Sequence, residues 1–203
     1  YSKRMIAEQK MLNGNIENDV KAYQEMLRTS YICSALSNDP KYFRYSFQIS
    51  EKLYEKTGFV SDFYGALNGL ELFQKNDRRN QNAYLDGARL IRKYKDTLLR
   101  KNTNINEKIM GFYEQAISLS PYNPFYRSEY AEYLVSVCDT NNACLQMETA
   151  IKNEYNFIKG YLFLYKYQRN ANKEELVSNI ERIEKISRHS GKLRDYDKTL
   201  ISK

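Results

Sequence analysis

The stretch Pro124–Ala150 reads PFYRSEYAEYLVSVCDTNNACLQMETA and holds two apolar patterns separated by a polar turn. In the first pattern, Ala131 is followed three residues later by Leu134. In the second, Ala143 is followed four residues later by Met147. Apolar residues three or four positions apart lie on one face of an α-helix. The stretch therefore predicts two helices joined by a short polar turn.

This pattern recurs along the chain at a fixed interval. Met147 and Ala150 lie 34 residues after Tyr113 and Ala116, so a large side chain followed by alanine appears twice. A fixed interval of this length is typical of repeat proteins, in which each repeat is one supersecondary unit. The sequence therefore predicts an array of helix pairs. A helical bundle that contains one chance repeat stays open as an alternative.

Helix signals extend over most of the chain. Apolar residues recur three or four positions apart almost everywhere, whereas strict alternation is nearly absent. The breaks are polar, and several carry a capping Asp or Asn, in two cases followed by proline at the first helical position. We predict eight or nine antiparallel helices, among them helices over about 16–36, 61–75 and 82–101, with N-caps at Asp39, Asn104, Asn123 and Asn172.

The layout of large and small residues resembles the tetratricopeptide repeat (TPR), a helix-turn-helix of 34 residues. This resemblance implies an all-α fold in which antiparallel helix pairs stack as a TPR-like α-solenoid. It is best over residues 124–155, where Ala131 and Ala143 occupy the positions at which the two helices of a repeat touch. Arg127 and Tyr155 depart from the family pattern, which has an aromatic residue and a proline there.

Three regions are expected along the chain. Residues 1–80 form N-terminal helix pairs without a clear repeat signature, residues 81–190 form the TPR-like repeats, and residues 191–203 form a C-terminal tail. The chain begins at Tyr1, with neither Met nor the pattern of a signal peptide. We therefore expect a fragment or a processed product.

Composition and motifs argue against several classes of function. The 203 residues include 32 Lys or Arg and 25 Asp or Glu, a net charge of +7, and a single histidine, His189. His189 falls at an expected helix C-terminus, which favours a cation electrostatically. Glycines are scattered singly, so there is no phosphate-binding loop, and no Cys/His set has metal-ligand spacing. We expect a soluble helical protein with no catalytic residue, metal or cofactor.

The three cysteines leave one structural question open. Cys33 lies in an apolar helical stretch and is expected to be a small buried hydrophobe. Cys138 and Cys144 are six residues apart across a helix–helix turn. They form either a disulfide, which would indicate an oxidising compartment, or two separately packed thiols.

Aromatic residues are abundant, with 19 tyrosines and no tryptophan. Tyrosine fills gaps between helices, and exposed tyrosine and arginine anchor many binding surfaces. Most of these tyrosines are expected to pack in the core.

The TPR resemblance also implies a partner site. In this family the first helix of each pair lines the concave face, which places Phe125, Ser128, Glu132 and Val135 in a groove. The function implied is protein–protein interaction, with a protein or peptide as the partner. The sequence gives no indication of the oligomeric state.

A further resemblance narrows this function. The segment Ala116–Arg127, followed by Tyr130 and Ala131, resembles the C-terminal repeat region of bacterial O-antigen ligase and polymerase family membrane proteins. In that family the integral membrane part transfers the glycan and the repeat domain is extracytoplasmic. The resemblance implies an accessory domain outside the cytoplasm.

The basic residues of 78–101 allow a different function. Basic side chains concentrate on the predicted helix, so the stripe could bind nucleic acid or anionic lipid. Asp86 and Asp96 interrupt it, and a solvated helix face is the simpler interpretation. The stripe consists of Arg78, Arg79, Arg89, Arg92, Lys93, Lys95, Arg100 and Lys101.

Overall fold

The computed structural model describes residues 20–37, 39–95 and 104–189. Over these residues it contains nine α-helices and no strand, which confirms the predicted all-α fold class. The helices are α1 (Val20–Ser37), α2 (Pro40–Thr57), α3 (Val60–Asn76), α4 (Gln81–Lys93), α5 (Ile105–Leu119), α6 (Pro124–Ser136), α7 (Thr140–Asn153), α8 (Ile158–Tyr167) and α9 (Lys173–His189).

The chain divides into two compact units, Tyr1–Asn102 and Thr103–Lys203. From sequence, the boundary between the N-terminal helix pairs and the repeats was expected near residue 80, inside the first unit. The predicted tail over 191–203 lies outside the described residues, as do Arg100 and Lys101.

Helix starts follow the capping residues that the sequence predicts. The Asp39 side chain accepts a hydrogen bond from the Lys41 amide at 3.1 Å, directly before α2. Asn123 accepts from the Phe125 amide at 3.0 Å at the start of α6. Asn104 also precedes a helix, but its side chain makes no capping bond. Side-chain caps satisfy amide groups that the first helical turn leaves unpaired.

The predicted helix over 82–101 is interrupted. Helix α4 ends at Lys93, and Tyr94 leaves helical geometry with φ −108° and ψ 22°. The Tyr94 ring packs edge-on against Tyr54 and Phe63, with centroids 5.1 and 5.4 Å away. Apolar periodicity does not reveal this break, because the aromatic contacts that accompany it are made with other helices.

In the first unit, consecutive helices α1 to α4 pack on one another. A core cluster joins Phe47 of α2 to Phe63 and Leu70 of α3 and to Leu90 of α4. Helices α2 and α3 approach closely because α3 presents glycine at its contact face. A Cβ at Gly69 would meet the backbone of Phe47.

In the second unit, α5 to α9 also pack consecutively. Ala131 of α6 and Ala143 of α7 are both completely buried, at the small-residue positions expected from the repeat pattern. The Tyr113 ring of α5 stacks on Tyr130 of α6 at 5.3 Å. Ile180 and Ile183 of α9 pack with Tyr161 of α8. The described residues therefore contain the predicted pair over 124–155 and a further pair after it.

Candidate functional site

Three of the four groove residues predicted from sequence are accessible on α6. The Phe125 side chain is 62% exposed, and its ring meets Phe157 edge-on at 5.4 Å. Glu132 pairs with Lys159 of α8 at 2.7 Å, which joins the two helices. Val135 is partly exposed. We call the surface formed by Phe125, Glu132, Val135 and Lys159 the α6/α8 face.

Ser128 is the exception, because it is completely buried. Over residues 20–37, 39–95 and 104–189, no group forms a hydrogen bond with its hydroxyl. Ser128 therefore does not reach solvent in this structure, although its helical position is that of a groove residue. Helical spacing sets the direction in which a side chain points, but the packing of neighbouring elements decides whether the side chain reaches solvent.

The tyrosines around this face divide into two groups. Tyr126, Tyr130 and Tyr133 of α6 are buried, as the core-packing interpretation predicts. Tyr122 and Tyr155 are 79% and 59% exposed. They lie in the turns that precede α6 and α8. The exposed aromatic surface of this unit therefore includes two helix-connecting turns.

Arg127, at the position where the tetratricopeptide-repeat pattern has an aromatic residue, connects three segments. Its Nη1 donates to Gln146 Oε1 of α7 at 2.8 Å, and its Nη2 donates to the Pro121 carbonyl at 3.3 Å. Asn153 Nδ2 donates to the same carbonyl at 2.9 Å. Burial lowers the pKa of Arg127. Polar bonds therefore stabilise a region that an aromatic ring fills in the family pattern.

Two of the clefts among the described residues lie on the second unit. The larger has a volume of about 1050 Å³ and is lined by residues of α7 and the end of α8, among them Glu148 and Gln168, whose side chains are hydrogen-bonded at 2.7 Å. The smaller has about 420 Å³, and there Tyr130 donates to Glu114 at 3.1 Å. Burial and the Glu114 charge raise the pKa of Tyr130. Over the described residues, no group of three or more His, Cys, Asp or Glu could hold a metal ion.

All three cysteines are free thiols. Cys138 is exposed and has a positive φ of 65°, whereas Cys144 is buried on α7. Burial raises the pKa of the Cys144 thiol. The sequence left two alternatives open, a disulfide or separate thiols. In the structure Cys138 and Cys144 are separate thiols.

Two basic residues of α4, Arg89 and Lys93, are paired with acidic side chains. Lys93 forms ion pairs with Glu51, at 2.9 Å, and with Glu55. Burial lowers the pKa of Lys93, but the hydrogen bonds to these carboxylates outweigh it, so the pKa is raised. Arg89 pairs with Asp86 at 3.6 Å. These contacts favour the solvated-face interpretation over a stripe free to bind phosphate.

Comparison with solved structures identifies the fold. A MamA double mutant of strain RS-1 aligns with a TM-score of 0.62 and 14% identity, over 93% of this chain and 94% of that one. A crystal structure of MamA aligns with a TM-score of 0.60 and 15% identity, over 93% and 98%. MamA is a TPR protein. The fold of this chain is a TPR-like α-solenoid.

No protein-family model and no curated protein sequence matches the chain. At 14–15% identity, the likeness to MamA establishes the fold and leaves function to be argued from the surface. Among the helices described, none combines the length and the apolar character that crossing a membrane requires.

Proposed function

We propose that this chain is a protein-interaction scaffold and that its α6/α8 face binds a protein or peptide. The observation that carries the proposal is the exposed Phe125 ring on the same helix as Glu132, seven residues before it, where Glu132 pairs with Lys159 of the next helix pair of a TPR-like fold. An accessible aromatic residue bordered by charged groups has the composition of a binding surface, where aromatic anchors supply most of the affinity and polar groups form the rim.

The α6/α8 face also suits an extended ligand. Phe125 supplies an apolar contact at one end of α6, and Val135 lies ten residues further along the same helix. At a rise of about 1.5 Å per residue, they are roughly 15 Å apart along the helix axis. A peptide of five or six extended residues spans this distance. The Glu132–Lys159 pair lies between them and offers both a donor and an acceptor.

The test compares two exposed apolar residues of the same unit. Peptides selected from a random display library on the full chain are labelled, and their Kd is measured by fluorescence anisotropy. Phe125→Ala removes the proposed anchor and is expected to weaken binding at least tenfold. Leu145→Ala is the matched control, because Leu145 is 56% exposed on α7. Equal affinities for both variants and the wild type would contradict the proposal.

The charged pair offers a second, independent readout. Glu132→Lys and Lys159→Glu each place like charges side by side, while the double variant restores an opposite-charge pair with reversed polarity. If the ligand contacts this pair, the double variant should keep its fold but bind the selected peptide more weakly than the wild type. Full recovery of binding in the double variant would mean that the ligand does not contact this pair.

We further propose that this scaffold is an extracytoplasmic accessory domain of a membrane glycan ligase or polymerase. The support is the resemblance of Ala116–Arg127, with Tyr130 and Ala131, to the repeat region of the O-antigen ligase and polymerase family. The coding sequence upstream of Tyr1 tests this. Several long apolar spans there would support the proposal, whereas a start codon immediately before Tyr1 would overturn it.

A further inference from the structure

Arg182 of α9 has an unusual set of contacts. Its guanidinium carbon lies 4.2 Å from the centre of the Tyr155 ring, a cation–π contact. Its Nη1 donates to Asn156 Oδ1 at 3.3 Å. Its Nε and Nη2 atoms are both buried, yet neither reaches hydrogen-bond geometry with an acceptor in the part of the chain that the structure describes. Among the described residues, no carboxylate forms an ion pair with this guanidinium.

The two unpartnered nitrogens form one edge of the guanidinium group. Nε and Nη2 direct two N–H bonds side by side, and this edge matches the two oxygens of a carboxylate. A buried charged donor without an acceptor is unfavourable, because the group loses its hydration and gains no bond in return. The Tyr161 hydroxyl lies close enough to Arg182 for the guanidinium to oppose the rise in the Tyr161 pKa, but a neutral hydroxyl leaves the cation without a counter-ion. The edge is therefore suited to a carboxylate.

Tyr155 covers this guanidinium and is itself largely open to solvent. Its side chain is 59% exposed, and its hydroxyl donates to Asn179 Oδ1 at 3.2 Å. Exposed side chains change rotamer within nanoseconds once such a bond opens. Rotation of the Tyr155 ring would open the face of the guanidinium that the ring covers, without any movement of α9. The adjacent Tyr161 hydroxyl donates to the Tyr155 carbonyl at 3.3 Å, so that hydrogen is already engaged.

We propose that Arg182 binds a carboxylate of the partner peptide, with Tyr155 as its movable cover. This inference rests on the proposed function, since the ligand is the same partner. The turn that carries Tyr155 also carries Phe157, which contacts Phe125 of the α6/α8 face. A peptide that lies along α6 with one end at Phe125 has that end beside this turn, where an acidic side chain or its terminal carboxylate pairs with Arg182.

The surrounding charge favours a carboxylate over a phosphate. Arg182 is one cation, and Tyr155 occupies one of its faces. Glu175 lies near enough for its charge to help raise the pKa of Tyr161, although burial is the larger cause. A doubly charged phosphate keeps a net negative charge beside Glu175 after it pairs with this single cation, whereas a singly charged carboxylate is neutralised by it.

The test observes Arg182 directly in the full chain. The Nε–H resonance of Arg182 is assigned by its loss in Arg182→Lys, and the wild type is titrated with N-acetylphenylalanine. A saturable shift with a Kd in the millimolar range is expected for one bidentate pair. The carboxamide of the same compound has identical bulk without the charge and should produce no shift. N-acetylaspartic acid amide presents the carboxylate on a side chain and identifies which source binds more tightly.

The variant gives a second readout. Arg182→Lys keeps the charge but loses the paired N–H edge, so N-acetylphenylalanine should shift the Asn156 amide with at least tenfold weaker affinity. Equal shifts from acid and carboxamide, or equal affinity in the variant, would overturn the proposal. So would saturation by inorganic phosphate while both carboxylates remain inert. Such a failure is distinct from failure of the proposed function, which is measured at Phe125.

Discussion

Gly69 of α3 lies so close to Phe47 of α2 that a Cβ added to the glycine would stand 2.8 Å from the Phe47 backbone nitrogen. Ordinary carbon contacts are about 3.5–4.0 Å, so this approach requires the absence of a side chain. One turn earlier, Gly65 faces Ser50, where a Cβ would lie 3.2 Å from the hydroxyl oxygen. Small residues on facing sides therefore set the distance between α2 and α3.

Gly69→Ala should destabilise the first unit. Alanine is intrinsically the better helix residue by about 1 kcal/mol, but its Cβ meets rigid backbone of α2. Overpacking of this kind costs roughly 1–3 kcal/mol, so we expect a net loss of stability. Urea unfolding followed by circular dichroism measures the change.

Gly111→Ala is the matched control. Gly111 is also inside a helix, α5, but a Cβ there would meet nothing within 4 Å. Without a clash, the helix-propensity gain remains, and we expect stabilisation of about 0.5–1 kcal/mol. If both variants were stabilised alike, the close approach of α2 and α3 would be refuted.

Local features of this fold were predictable from sequence because they depend on neighbouring residues. Asp39 and Asn123 cap the helices that follow them, since the capping bond spans only two residues. Ala131 and Ala143 could be assigned to a helix contact because the 34-residue pattern fixes which small residues face each other.

The features that sequence missed depend on contacts between distant residues. Tyr94 ends α4 where its ring meets Tyr54 and Phe63 of other helices. Ser128 has the right helical position for the groove, yet it is completely buried. Arg182 lay in a charged helical stretch, and no local pattern indicates that its guanidinium reaches Tyr155, 27 residues earlier.

The reactivity of the cysteines distinguishes free thiols from a disulfide. In the native protein, one thiol per chain should react rapidly with Ellman's reagent, because Cys138 is exposed and the other two cysteines are buried. The raised pKa of Cys144 further reduces its thiolate fraction. Cys138→Ala should remove the rapid phase, while Cys144→Ala should retain it. A single reactive thiol in the unfolded, unreduced chain would instead reveal a Cys138–Cys144 bridge.

Lys93 tests the alternative that the basic stripe binds an anionic partner. Because Lys93 pairs with Glu51 and Glu55, Lys93→Gln should reduce the free energy of unfolding by up to about 1 kcal/mol, and less in high salt. Lys75→Gln is the control, since Lys75 is exposed on α3, and its effect should stay within about 0.5 kcal/mol. Unchanged stability in Lys93→Gln together with weaker binding to duplex DNA or anionic vesicles would support the stripe hypothesis.

Asp86 makes the stability of the first unit depend on pH, and the direction of its pKa shift gives the sign of that dependence. Burial raises its pKa above 3.8, and the charges of Arg44 and Arg89 oppose this only in part. An acid whose pKa is higher in the folded state binds protons more readily there, so its contribution to stability is complete below about pH 3.8 and is lost as the pH rises through the folded pKa.

The wild type should therefore lose stability relative to Asp86→Asn as the pH increases over that window, because only the wild type ionises a buried carboxyl. Urea titrations of both proteins at a series of pH values measure this difference. The other titrating groups are the same in both proteins, so their contributions to the pH dependence cancel. The ¹³C shift of the Asp86 carboxyl gives the folded pKa independently. A value below 3.8, or a difference that grows in favour of the wild type, would mean that the ion pair with Arg44 outweighs the burial of the charge.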